Sequence, residues 1–275
     1  MIPPTWLITG ASRGIGFHIA QAALNAGSNV VVTARRVDTL RDAFASHGDQ
    51  CLALAHDASQ PSASAAIVQQ ARDVFNEVDV LVLNAGQGML AALEDTDEGR
   101  ERALFDLLYH GPVSMIRAVL PHMRARGQGH IVVIGAAATH GNYAGFSSYG
   151  AAKAALECAC EALQAEVKPF GIRVSVAIPG PFRTDFISKA ESSKTDVYAA
   201  SVGRFGTVLE RMNGRQPGDP ARLGALIVDQ VHSGTLPFRF PLGAYALKKL
   251  RDRGAQFQRD ADAFAEAAVS ADFQA

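Results

Sequence analysis

Short apolar runs alternate along the chain with longer stretches in which apolar residues recur every three or four positions. The runs are TWLIT (5–9), NVVVTA (29–34), CLALA (51–55), DVLVLN (79–84), HIVVIG (130–135) and IRVSVAIP (172–179). They are rich in β-branched residues and apolar at consecutive positions, as strands buried on both faces are. Between them the 3.6-residue rhythm predicts helices near 15–26, 38–46, 61–75, 99–126 and 147–169. Such alternation implies parallel strands with a helical layer on each side. The expected fold class is α/β: a doubly wound parallel sheet in three αβα layers, with its ligand crevice at the carboxyl ends of the strands.

After Pro179 the rhythm changes. Residues 183–216 are mixed and polar with weak periodicity, which predicts a substrate lid. PGDPARLGALIVDQVHSG (217–234) predicts one more helix, with Asp219 as its start signal. The tail, 242–273, alternates charge and alanine like a solvated helix. No repeat or low-complexity linker interrupts residues 1–275, so one domain is expected.

Charge narrows the partners. Lys+Arg 26 against Asp+Glu 27 leaves a net charge of −1, which favours neither nucleic acid nor an anionic membrane. No run of apolar residues is long enough to span a bilayer, and the N-terminal segment enters a strand-like run at once. Cys51, Cys158 and Cys160 form no metal or disulfide pattern and read as reduced packing residues, and no metal site is expected. The chain reads as soluble and cytoplasmic.

TGASRGIG (9–16) follows the first strand and opens the first helix. Gly10, Gly14 and Gly16 permit a tight turn and close backbone approach to a diphosphate, with Ser12, Arg13 and Ile15 in the same stretch. The helix N-terminus offers free N–H groups and a positive dipole end to that anion. Where the second strand ends, Ala34 and Arg35 stand in place of the carboxylate that holds the ribose 2′-OH of NAD. Arg35 and Arg13 suit a 2′-phosphate, so NADP(H) is preferred over NAD(H), the alternative being two solvated surface arginines. Asp57, after the third strand, can accept from the adenine amino group. Asn84, Ala85 and Gly86 end the fourth strand and leave room for a cofactor against the backbone.

Tyr149 and Lys153 are four residues apart, so they share one helix face. A free phenol, with a pKa of about 10, is a poor proton carrier at neutral pH. A neighbouring ammonium is expected to lower that value and to hold the nicotinamide ribose hydroxyls. With TGASRGIG, Asp57, Asn84-Ala85-Gly86, Tyr149-x3-Lys153 and PGPFRTDF (179–186) in this order, the chain resembles the short-chain dehydrogenase/reductase family over roughly residues 5–235. The resemblance implies a Rossmann-type fold and hydride transfer between NAD(P)(H) and an alcohol or carbonyl. It makes Tyr149 the proton donor or acceptor, and Pro179, Gly180 and Thr184 the segment that holds the nicotinamide amide. It also implies a homodimer or homotetramer pairing through the helices around 99–126 and 147–169. PFRFPLGAYALKKLRDR (237–253) and AVSADF are similar to the tail of the 17β-hydroxysteroid and retinol dehydrogenase branch.

Two positions depart from that family. Its serine, 13 residues before the tyrosine, falls on Ala136, and neighbouring registers meet Ala137 and Ala138. Its asparagine in the helix after the fourth strand falls on Leu108. One missing donor of this kind typically costs about 10²–10³ in rate. Thr139 or His140 is expected to supply the missing hydrogen bond, with Ser147, Ser148, Tyr109 and His110 as further candidates. Three functions follow: an NADP(H)-dependent oxidoreductase for a small or medium hydrophobic alcohol or carbonyl, a cofactor-binding sensor or partner subunit with little turnover, and a lyase-type reaction using Tyr149 as base.

Overall fold

The apolar runs become a single parallel sheet in the computed structural model, which describes residues 3–192 and 196–273. Its strands are β1 (Thr5–Thr9), β2 (Asn29–Ala34), β3 (Cys51–Ala55), β4 (Val80–Leu83), β6 (Gly129–Ile134), β7 (Ile172–Pro179) and β9 (Arg239–Leu242). They lie in the order β3-β2-β1-β4-β6-β7-β9, all parallel. The order reverses between β1 and β4, the switch point beside which a doubly wound sheet opens its crevice. A second, two-stranded ribbon pairs β5 (Met89–Leu90) with β8 (Glu191–Ser192).

Helices α1 (Gly14–Asn25), α2 (Val37–Phe44), α3 (Ser64–Phe75), α4 (Glu98–Phe105), α5 (Gly111–Arg126), α6 (Ser147–Val167), α7 (Arg204–Met212), α8 (Pro220–Ser233) and α9 (Gly243–Val269) complete the chain. Period-two alternation sends Trp6 and Ile8 to one face and Leu7 to the other. On the first face Ile19, Leu40 and Ile227 bring α1, α2 and α8 onto the sheet. On the second face Ile67, Met115 and Leu156 do the same for α3, α5 and α6. The central strands β1, β4 and β6, buried on both faces, carry the near-continuous apolar runs seen in the sequence.

The expected helix over 99–126 is interrupted by a π-helical stretch, Asp106–His110, between α4 and α5. β9 went unpredicted because Pro241 and a span of four residues hide the strand pattern in RFPL. Residues 183–216 contain β8 and α7; 193–195 of that segment lie outside the described residues. The cysteines are free, with Cys160 buried and Cys158 exposed. No helix among the described residues is long and apolar enough to cross a membrane.

Candidate active site

The carboxyl ends of the strands surround a cavity of about 690 Å³. All the predicted site residues except Gly16 line it: Gly10 and residues 12–15 of the loop, Arg35, Asp57, residues 84–86, Tyr149, Lys153, Pro179, Gly180 and Thr184. Gly16 lies behind the loop, where a Cβ would stand 2.3 Å from the Asn84 amide nitrogen.

The loop's shape depends on glycine. Gly10 has φ +67°, and a Cβ there would come within 2.7 Å of Ala85 Cα. Thr9 and Asn84 lock this close approach. The Asn84 side-chain amide donates to the carbonyls of Thr9 (2.9 Å) and Gly10 (3.0 Å), while the Asn84 and Ala85 backbone N–H groups donate to Thr9 Oγ1. Asn84 therefore holds the cradle as well as lining it. Arg13 occupies the N-cap of α1 without a side-chain cap hydrogen bond, which leaves the first-turn N–H groups to an incoming anion. Asp57 Oδ1 accepts from Ser59 N (3.0 Å) and Ser59 Oγ (2.8 Å). These bonds, with Arg35 nearby, hold its carboxyl below the usual range. Tight glycines, free helix N–H groups and two exposed arginines fit a dinucleotide bearing a third phosphate.

On the other side of the cavity Tyr149 and Lys153 share one face of α6, and both are buried. Lys153 Nζ donates to the Ile134 carbonyl (2.7 Å), fixing the ammonium against the end of β6. Burial brings its pKa down to about 8. Burial also pushes the Tyr149 phenol above its ordinary value, opposite to the expected lowering by Lys153. The reason is the apolar surrounding: Phe146 and Phe186 lie 5.2 and 5.6 Å from the Tyr149 ring, and Ala136, Ala138 and Leu108 join the same cluster. No hydrogen bond holds the Tyr149 hydroxyl among the described residues.

The alanine wall is real. Ala136 is 6% exposed and lines the cavity with Ala137 and Ala138. Leu108 is wholly buried in the π-helical stretch, its Cδ2 3.1 Å from where a Cβ of Gly86 would stand, and Leu107 lines the cavity instead.

The expected rescue by Thr139 or His140 is corrected: both turn away from the cavity to a buried carboxylate. Thr139 Oγ1 donates to Glu157 Oε2 (2.8 Å), and His140 Nε2 is 3.3 Å from Glu157 Oε1. Arg239 Nε donates to the same oxygen at 2.6 Å. Burial pushes the Glu157 carboxyl up, but the bonds from His140, Arg239 and Thr139 outweigh it and hold it at about 2. Ser148 donates to Glu101 (2.6 Å), and Ser147, Tyr109 and His110 do not line the cavity. The cavity wall on that side is largely aromatic and aliphatic instead, with Tyr143, Phe146, Phe186, Phe205, Leu209 and Met212. The hydroxyls of Tyr143 and Tyr245 meet there. Glu157 was open to prediction, standing four residues after Lys153 on the same helix face. Phe186 and Phe205, in the weakly periodic segment 183–216, had no such signal.

Residues 4–195 match the family described as short chain dehydrogenase. The chain is 31% identical over 246 residues to an oxidoreductase of Botryotinia fuckeliana, covering 88% of this chain and 90% of the relative. It is 39% identical over 215 residues to an oxidoreductase of Passalora fulva, covering 76% of this chain and 96% of the relative. The crystal structure of a short-chain dehydrogenase from Streptomyces avermitilis superposes with a TM-score of 0.90 at 36% identity, covering 98% of this chain and 99% of that one. A metagenomic short-chain oxidoreductase in complex with NADP superposes with a TM-score of 0.68 at 27% identity, covering 87% and 96%.

Proposed function

Because the chain belongs to the short-chain dehydrogenase/reductase family, a family of oxidoreductases, we propose that it interconverts a small or medium hydrophobic alcohol and its carbonyl using NADP(H). The carrying observation is the Tyr149 hydroxyl. It is free of protein partners among the described residues and stands between a glycine-lined cradle and an aromatic wall.

The residues divide the work. Gly10, Ser12, Gly14 and Ile15 line the diphosphate cradle, Gly16 lets the loop close on Asn84, and the N-terminus of α1 faces the anion. Arg13 and Arg35 take the 2′-phosphate, and NAD(H), lacking it, is the weaker alternative. Asp57 accepts from the adenine amino group, and Ala85 and Gly86 let the cofactor lie against the backbone. Pro179, Gly180 and Thr184 hold the nicotinamide end. When bound, the nicotinamide supplies or takes up the hydride. Lys153 positions the ribose hydroxyls by its ammonium, which is charged below about pH 8. Tyr149 gives its hydroxyl proton to the carbonyl oxygen in reduction and recovers one in oxidation. Its raised pKa keeps the phenol protonated at neutral pH, so the free chain is prepared for the reducing direction.

The apolar wall selects substrates with a hydrocarbon or aromatic face beside the reacting carbon. The segment 183–216 serves as the lid: its β8 joins β5, Glu191 pairs with Arg100 (2.9 Å), and α7 brings Leu209 and Met212 to the cavity. The protein works in the cytoplasm as a homodimer or homotetramer built on the helices around 99–126 and 147–169.

Cofactor absorbance and binding test this reading. NADPH is consumed with hydrophobic ketones. Arg35→Asp weakens NADPH binding roughly 10- to 100-fold, the worth of one charge-assisted contact, and leaves NADH binding unchanged. Unaltered NADPH affinity in Arg35→Asp contradicts the 2′-phosphate assignment. A wild type that binds NADPH without consuming it with any carbonyl contradicts the oxidoreductase and favours a sensor or lyase.

A further inference from the structure

Helix α9 spans 27 residues, about 40 Å at 1.5 Å per residue. Its first turns belong to the domain: Ala246 is buried and Leu250 packs against the core. From Arg251 onward nearly every residue is exposed, so most of the helix projects beyond the domain. Phe257 is 56% exposed and Phe264 66%.

The projecting part carries a seam. Gly254, Phe257, Ala261, Phe264 and Ala268 follow Leu250, the last core-packed residue, at steps of four, three, four, three and four. That spacing keeps them on one stripe of a helix paired at 3.5 residues per turn. No atom lies within 4 Å of the Cβ position at Gly254. The stripe is thus two rings separated by small residues that leave room for a facing ring.

Charge along the same helix is polarised. Lys248, Lys249, Arg251 and Arg253 in the first half are opposed only by Asp252. Asp260, Asp262 and Glu266 in the second half are opposed only by Arg259. This runs against the helix dipole, which favours carboxylates at the N-terminal end and cations at the C-terminal end. A second copy laid antiparallel compensates the mismatch, because each basic half meets an acidic half. The same arrangement sets phenylalanine opposite glycine or alanine, the large-to-small alternation of a packed seam. A parallel copy sets like charge against like, and an anionic lipid surface repels the acidic half.

We propose that α9 is a self-association arm that pairs antiparallel with α9 of a second copy of this chain, separately from any contact through α4 to α6. Four rings burying on the order of 100 Å² each fall short of the roughly 800 Å² per partner of a standard interface. The association is therefore weak, concentration-dependent and weakened roughly tenfold by high salt.

Sedimentation of the full-length protein over a micromolar concentration series tests it. The wild type doubles its mass in one step at low salt. Phe257→Asp/Phe264→Asp, at exposed positions, loses that step while keeping its melting temperature and NADPH binding. Reversing the acidic half (Asp260→Lys/Asp262→Lys/Glu266→Lys) or the basic half (Lys248→Glu/Arg251→Glu/Arg253→Glu) abolishes the step in each variant alone, and mixing the two restores it. A wild type without the step, a step that survives the double phenylalanine variant, or reversed variants that stay apart when mixed overturns the proposal. So does wild-type binding to phosphatidylglycerol vesicles through the same two phenylalanines, which assigns the arm to a lipid surface.

Discussion

Ala136→Ser puts a hydroxyl back where the wall has none. Ala136 has φ −155° and ψ 143°, extended backbone that serine adopts without strain. It is 6% exposed and lines the cavity in the same cluster as Tyr149. Two opposed magnitudes follow. A hydroxyl that meets the substrate oxygen as charge develops on it is worth up to about 10²–10³ in rate, or ~3–4 kcal/mol. The same hydroxyl without a partner in the free protein costs about 1–2 kcal/mol of stability. At roughly 2–4 °C per kcal/mol for a domain of this size, the melting temperature falls by a few degrees. Steady-state carbonyl reduction with NADPH, beside thermal unfolding, reads both. We expect kcat/KM to rise at least tenfold while the protein becomes slightly less stable. A folded Ala136→Ser that binds NADPH and shows unchanged kcat/KM refutes the reasoning, since the wall would then not face the reacting oxygen.

Further outcomes follow from neighbouring residues. Leu108→Asn, which buries an amide in a wholly apolar cluster, lowers stability by about 3 kcal/mol, read as a shifted denaturation midpoint; a neutral effect contradicts the packing described. Glu157 has a folded pKa of about 2 against an ordinary 4.5, so its contribution is complete above pH 4.5 and is lost as pH falls toward 2. Glu157→Gln flattens that part of the stability-versus-pH curve, and an unchanged acid limb argues against the network with Arg239 and Thr139.

The sheet was legible because its central strands are buried on both faces, which leaves runs such as VLVL (80–83) with no polar interruption. The cradle was legible because Gly10 and Gly16 leave no room for a side chain. Tyr149 and Lys153 were legible from one helical spacing. What escaped detection depends on distant parts of the chain. Thr139 and His140 stood next to the alanines in sequence, yet Glu157 from α6 and Arg239 from β9 draw them away from the cavity. The phenol's pKa direction escaped for a similar reason, since Leu108, Ala136 and Phe186 come to Tyr149 from separate parts of the chain. β9 escaped because four residues containing a proline carry too little pattern.

The proposed oxidoreduction depends most directly on Tyr149 as the proton carrier beside the apolar wall of the cavity. Single-turnover oxidation of NADPH by a hydrophobic ketone, followed by absorbance in wild type and Tyr149→Phe, measures that role alone. Tyr149→Phe is expected to bind NADPH as tightly as wild type and to reduce the ketone about 10²–10⁴-fold more slowly. Equal rates in the two proteins would contradict it.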